Sequence, residues 1–157
     1  MDKFFKAKSI AIIGASRNPN KVGHVIVKNL LESHYSGKIY PVNPNTSSLI
    51  NLKCYHSVLA IKHKVDLAVI AVPASLSLKA VADCGRKGIK NIVIISAGFS
   101  EVGNHELDNK LLVLVNKYKL NIIGPNVLGI YDAHSGVDTL FLPRLRLNVQ
   151  RNYKPSS

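Results

Sequence analysis

The chain has 157 residues, 46% of them apolar and 19% charged, which suffices for one packed domain and argues against wholesale disorder. Its 21 basic residues outnumber 9 acidic ones for a net charge of +12, which favours an anionic partner: nucleotide, nucleic acid, acyl phosphate or acidic protein. The absence of Trp and an aromatic content of only 6% weigh against stacked single-stranded bases, and no apolar run approaches the ~20 residues of a membrane span.

Cys54 and Cys84 form no CxxC pattern and read as reduced thiols rather than a disulfide or zinc framework. The segment Met1–Lys8 lacks the apolar stretch and cleavage site of a signal peptide. The expectation is a cytoplasmic protein without a membrane partner.

In chain order, Ser9–Ile13 is a continuous apolar run ending at Gly14, the form of a strand buried on both faces. Val22–Ser33 has helical spacing, with Val22, Val25, Ile26, Asn29 and Leu30 on the inward stripe. Lys38–Val42 is a second strand running into the turn Asn43-Pro44-Asn45, and Cys54–Ile61 a short connector. Asp66–Val72 is a third strand, stopped by Pro73. Leu76–Lys87 is a helix with Leu76, Ala80, Val81 and Cys84 inward and Gly88 as its C-terminal cap. Asn91–Ile95 is the fourth strand. A helix over Leu107–Lys119 follows, with Leu111, Leu114, Val115 and Tyr118 inward, and Leu120–Ile123 is the fifth strand. This alternation predicts an α/β domain with a doubly wound parallel sheet. Residues 1–143 form that domain, and the basic, aperiodic stretch 144–157 reads as a loose tail.

Ligands of such sheets bind beyond the carboxyl ends of the strands. Here those ends are Gly14–Arg17, Val42–Pro44, Val72–Ala74, Ser96–Phe99 and Gly124–Asn126, rich in Gly, Pro and small residues. The first is the most informative. Gly14 permits a tight turn, Ser16, Arg17 and Lys21 supply donors and charge, and a helix N-terminus follows, as a diphosphate cradle requires. The competing reading is that Gly14 and Gly23 merely allow close packing.

The loop is a poor dinucleotide fingerprint, because Ser16 stands where the second Gly of GxGxxG belongs. No acid closes the second strand to hold a ribose; the position is Asn43. No GxxxxGK[ST] loop or GxSxG elbow occurs, and the six histidines show no metal-binding arrangement. Glu101 and His105, four apart, read as a helix-start pair. The basic residues are scattered and RNA-binding signatures are missing, so nucleic acid is not expected as a partner.

Taken together, Ser9–Ser16, Lys21–Gly23, Gly37–Pro44, Asp66–Ala74, Ile94–Phe99, Ile123–Asn126 and Leu128-Gly129 resemble the CoA-binding domain of the nucleoside-diphosphate-forming acyl-CoA synthetases. That superfamily includes ADP-forming acetate–CoA ligase and the α subunit of succinyl-CoA synthetase. The resemblance spans about Ser9 to Pro143 and implies a Rossmann-like domain with coenzyme A along its strand ends. By position, Gly14, Ser16, Arg17 and Lys21 would hold phosphates, and Val42, Asn43 and Pro44 would border the adenosine. Val72, Pro73 and Ala74 would line the path to the pantetheine arm, which Ser96, Ala97, Gly98 and Asn126 would guide.

Two departures from the family pattern stand out. Val127 occupies the position where the family has Cys in Gly-Pro-Asn-Cys-Leu-Gly. The family's phosphorylated histidine and ATP-grasp module lie in further domains, and none of the six histidines here matches that motif. The leading expectation is a CoA or acyl-CoA binding protein, not catalytically sufficient alone and with no catalytic or metal-ligating residue of its own. Alternatives are a subunit working with a separate ATP-grasp chain, a homo-oligomer, or an NAD(P)-responsive regulator, the last disfavoured by Asn43.

Overall fold

The computed structural model describes residues 2–142. A short helix α1 (Asp2–Phe5) leads into β1 (Ser9–Ile13), α2 (Val22–Glu32) and β2 (Lys38–Val42). Two hairpin strands, β3 (Ser48–Leu49) and β4 (Leu52–Lys53), and a 3-10 turn at Val58–Ala60 precede β5 (Leu67–Ile70). Then come α3 (Ala74–Lys87), β6 (Asn91–Ile94), a second 3-10 turn at Ser100–Val102, α4 (His105–Tyr118) and β7 (Asn121–Ile123). A last hairpin joins β8 (Tyr131–Asp132) to β9 (Val137–Asp138).

The main sheet has five strands in the order β2-β1-β5-β6-β7, all parallel. The expected doubly wound, Rossmann-like α/β architecture is the one observed. All residues of β1, β5 and β6 are buried. Successive side chains alternate faces. Ile10 and Ile12 therefore join Ile26, Val27, Leu30, Leu67 and Val69 on the α2 side. Ala11 and Ile13 join Ile70, Val81, Cys84, Ile92, Ile94 and Leu111 on the α3–α4 side. Each buried Ile or Leu contributes roughly 1.5–3 kcal/mol, so the two layers together drive the fold.

α3 ends at Gly88 (φ 85°), whose N–H bonds to the carbonyl of Gly85, as a left-handed cap should. α3 and α4 meet where Gly85 faces the ring of Tyr118; a Cβ on Gly85 would lie 2.4 Å from that ring. Two inward assignments need correction. Leu76 is 53% exposed, because α3 starts at Ala74 and its first turn projects past the sheet edge. Val25 is only half-buried and joins neither core layer, whereas half-buried Val22 does pack against the α2-side layer as expected. The stretch 144–157 lies outside the described residues.

Candidate functional site

The strand order reverses between β1 and β5: from β1 the chain winds to β2, and from β5 it winds away toward β7. At that point the loops after β1 and β5 diverge and open a crevice, the position where ligands of open α/β sheets bind. Gly14 (φ 99°) sits in its floor. A Cβ there would come within 2.4 Å of the Ala71 carbonyl oxygen, and a Cβ on Gly23 within 2.0 Å of the Gly14 oxygen. Both glycines are thus required by packing, which brings the first turn of α2 directly onto the end of β1.

Hydrogen bonds tie the strand ends to one another. The Gly14 and Ala15 N–H groups donate to the Val42 carbonyl at 3.1 and 3.2 Å. Asn43 Nδ2 donates to the Ala15 carbonyl at 2.6 Å, while its Oδ1 accepts from the Asn45 N–H at 2.7 Å. The Ser96 hydroxyl donates to the Val72 carbonyl, and the Asn126 N–H donates to the Ser96 carbonyl at 3.1 Å. All five predicted loops are therefore joined along one edge, three of the contacts being hydrogen bonds and the Gly14–Ala71 one close packing. The pairs are Asn43 with Ala15, Gly14 with Ala71, Ser96 with Val72, and Asn126 with Ser96.

Within the first loop, Ser16 Oγ accepts from the Asn18 N–H at 3.1 Å and keeps its own proton to donate. His24 Nδ1 donates to the Ser16 carbonyl at 2.8 Å, fixing the loop from inside α2. Arg17 and Lys21 are exposed and form no ion pair among the described residues. Gly98 (φ 108°) packs against Ala74, so the fourth loop touches the start of α3. Glu101 is not paired with His105 on one helix: it belongs to a separate 3-10 turn, and its carboxylate accepts from the N–H groups of Gly98 and Phe99. The bond from Gly98 holds the Glu101 carboxyl below the usual range. Glu101 thereby braces the Gly98–Phe99 corner.

The helix termini differ in a way that matters for anions. α2 and α3 begin at Lys21 and Pro73 with no side-chain cap and no acidic residue in the first turn. α4, which starts well away from the switch point, is capped by Asn104 and carries Glu106 and Asp108 in its first turn. The orphan N–H groups of a helix start, left uncapped and uncountered, favour negative charge.

Two cavities open on this edge, and Val72 belongs to both. The first, of about 430 Å³, lies between β2 and α3. Gly14, Val42, Asn43 and Pro44 form one wall, His56 and Ser57 a second, and Leu76, Lys79 and Asp83 the third. The second, of about 300 Å³, lies toward β6 and β7 and holds Ser96, Ala97 and Asn126. The remaining expected site residues, Ser16, Arg17, Lys21, Pro73, Ala74 and Gly98, line neither cavity. His56 and Ser57 were missed because their segment carries no period. Leu76, Lys79, Ala80 and Asp83 follow helical i, i+3, i+4, i+7 spacing, a signal that could have found them.

Asp83 is the one buried acid in the first cavity's wall. Lys79 Nζ pairs with it at 2.8 Å, and Arg86 pairs with its other oxygen. Burial pushes its carboxyl upward, but the hydrogen bonds from Lys79 and Arg86 outweigh burial and hold it below the ordinary range. Among the described residues no cluster of His, Cys, Asp or Glu is placed to hold a metal ion, and no helix is long and apolar enough to cross a membrane.

A five-stranded parallel sheet of this order, with small-residue loops converging on its switch point, defines a Rossmann-like domain. Residues 8–133 match the family model described as "CoA binding domain", and the chain belongs to that family, in the form related to the ADP-forming acyl-CoA synthetases. It is 50% identical over 134 residues to an ADP-forming acetate–CoA ligase of Methanocaldococcus jannaschii, covering 85% of this chain and 19% of that protein. It is 41% identical over 144 residues to the α subunit of ADP-forming acetate–CoA ligase II of Pyrococcus furiosus, covering 90% of this chain and 31% of the subunit. Among solved structures, a dinucleotide-forming acetyl-coenzyme A synthetase 1 of Ca. Korarchaeum cryptofilum, in complex with phosphate and ADP, aligns with a TM-score of 0.88 and 41% identity. That alignment covers 90% of this chain and 31% of the other. The chain thus spans between a fifth and a third of these relatives.

Proposed function

We propose that the protein binds coenzyme A or an acyl-CoA along the carboxyl edge of its sheet, as the CoA-binding part of a nucleoside-diphosphate-forming acyl-CoA synthetase or as a standalone relative. The observation that carries this reading is the pair of uncapped, acid-free helix starts at Lys21 and Pro73 flanking a crevice with a cavity on each side. CoA is a ligand of that shape: a nucleoside, a central diphosphate and a long amphipathic arm. The diphosphate meets Gly14, Ser16, Arg17, Lys21 and the first turn of α2. The adenosine takes the cavity bordered by Val42, Asn43 and Pro44, where His56, Ser57, Lys79 and Asp83 supply polar partners. The arm passes Val72, Pro73 and Ala74 toward Ser96, Ala97, Gly98 and Asn126.

Domain limits of 1–143 and a cytoplasmic setting accompany this reading. A second reading, a subunit acting with a separate ATP-grasp chain, draws support from the α subunit relative. An NAD(P)-responsive regulator fits less well. Asn43 already spends its amide on Ala15 and its oxygen on Asn45, and it offers no carboxylate to a ribose. Calorimetric titration with CoA, dephospho-CoA and NADH tests the proposal. CoA is expected to bind with 1:1 stoichiometry and NADH much more weakly; NADH binding as tight as CoA overturns it.

A further inference from the structure

The amino edge of the sheet, opposite the loops described above, carries a third cavity, of about 540 Å³. Lys3, Lys6, Lys8, Lys64 and Lys90 line it, together with Asp2 and Asp66. Lys8, Lys64 and Lys90 lie in the segments leading into β1, β5 and β6, which are neighbours in the sheet. At a strand spacing of ~4.8 Å the outer two of these strand starts are roughly 10 Å apart. α1 and the turn after it add Lys3 and Lys6. Parallel pairing thus gathers cations that are up to 87 positions apart in sequence around one space.

The two carboxylates leave most of this charge uncancelled. Asp2 pairs with Lys6 at 3.0 Å and Asp66 with Lys64 at 3.2 Å. Asp66 is occupied on its other oxygen by the Lys8 N–H at 3.0 Å and the Ser9 hydroxyl at 3.3 Å. Lys3 and Lys8 form no ion pair among the described residues. Lysines at this edge of a sheet commonly counter helix C-termini. That accounts for Lys90, whose Nζ donates to the Tyr118 carbonyl at 2.6 Å at the end of α4, with two protons left over. It does not account for the others. The end of α3 is closed by its own backbone, the Cys84 and Gly85 carbonyls accepting from the Ile89 and Gly88 N–H groups.

We infer that this cavity is a second anion site, for a chain of linked phosphates without a base, and that it acts apart from the carboxyl edge proposed for CoA. Its lining holds lysines but no arginine and no aromatic ring. Lysine meets phosphate as a point charge, planar carboxylates are gripped best by the arginine fork, and a base needs a ring to stack on. Five ammonium groups on separate flexible stems match several anionic groups in a row better than a single one. β1, five residues long, sets the two edges roughly 17 Å apart, so neither site can borrow the other's cations.

The test is a calorimetric titration of the full chain with inorganic tripolyphosphate, orthophosphate and citrate. Each is run on the unaltered protein and on Arg17→Ala/Lys21→Ala, in which the first loop has lost its cations. Tripolyphosphate is expected to bind both proteins, at least ten-fold tighter than orthophosphate or citrate, and more weakly as salt is raised. An exposed charge pair is worth up to about five-fold, so adding Lys3→Gln/Lys8→Gln to the Arg17→Ala/Lys21→Ala background is expected to weaken tripolyphosphate at least five-fold. The control Lys28→Gln/Lys110→Gln removes the same charge from the outer faces of α2 and α4 and is expected to leave the affinity within two-fold. All four lysines are exposed, and thermal melts verify that each variant is folded. Loss of tripolyphosphate binding in Arg17→Ala/Lys21→Ala alone would place the anion at the first loop and overturn the second site. Equal weakening by the control pair would reduce the effect to net charge, and citrate binding as tight as tripolyphosphate would overturn the phosphate assignment. None of these outcomes depends on whether CoA binds.

Discussion

Asn43 donates its side-chain amide to the Ala15 carbonyl at 2.6 Å, joining the end of the second strand to the loop after the first. The residue that a dinucleotide-binding domain would use to hold a ribose is here a clamp between two loops. Asn43→Ala removes this half-buried hydrogen bond together with the exposed one from the Asn45 N–H, and is expected to cost about 1–2 kcal/mol of stability. It also frees the first loop, so CoA affinity falls with it, and NADH remains much the weaker ligand. Thermal melting and a competition titration measure both effects; NADH affinity rising to that of CoA would contradict the assignment.

Arg17 and Lys21 are exposed, so replacing them should spare the fold. A charged hydrogen bond to phosphate contributes about 1.5–3 kcal/mol. Arg17→Ala and Lys21→Ala are each expected to weaken CoA roughly ten-fold or more. Raised salt should weaken the unaltered protein in the same direction. Unchanged titrations in both variants would move the phosphates to another part of the edge.

Gly14 and Gly88 both have positive φ, yet they should respond differently to a methyl group. At Gly14 the new Cβ would meet backbone at 2.4 Å, while at Gly88 nothing lies within 4 Å. Gly88→Ala is expected to cost about 1 kcal/mol, the left-handed penalty alone. Gly14→Ala adds an overpacking term that no rotamer relieves, for a total of roughly 3 kcal/mol. Denaturant melts of the two variants decide this, and equal losses would refute it.

The Asp83 carboxyl titrates below the usual carboxylate range because the pairing of Lys79 and Arg86 outweighs its burial. A depressed folded-state value means stability that is fully present above the unfolded value near 4 and is lost as pH falls through the folded one. The unaltered protein should therefore lose stability on acidification below about pH 4. Asp83→Asn should be less stable at pH 7 and show a shallower acid limb. An acid limb of unchanged slope in the variant would assign that loss to other groups.

Incubated with ATP, magnesium, acetate or succinate, and CoA, the 157-residue chain is expected to form no acyl-CoA. His24, the histidine nearest the first loop in sequence, spends its Nδ1 proton on the Ser16 carbonyl and holds the loop. Product formation, or an acid-labile phosphohistidine on His24, His105 or His134, would disprove this. Turnover appearing only after an ATP-grasp chain is added would select the subunit reading.

The central strands were legible because a strand buried on both faces must be apolar throughout, and Ser9–Ile13, Leu67–Ile70 and Asn91–Ile94 are nearly so. Parallel pairing then forces their carboxyl ends to one edge, so the loop positions followed without coordinates. The β3–β4 hairpin was not legible. Its turn residues Ile50 and Asn51 adopt φ of 46° and 59°, and Ile is a residue that local propensity would exclude from such a turn. Nor could the sequence pair Asn29 with carbonyls 111 and 113 residues away, which makes a polar residue on an apolar stripe a strap for the C-terminal segment. The order of local periods determined the sheet and its functional edge. Only tertiary packing decided that Lys79 and Asp83 share a cavity with Asn43 while Val127 and Phe141 share another, because each cavity is bounded by side chains from separate crossovers, whose juxtaposition no local period encodes.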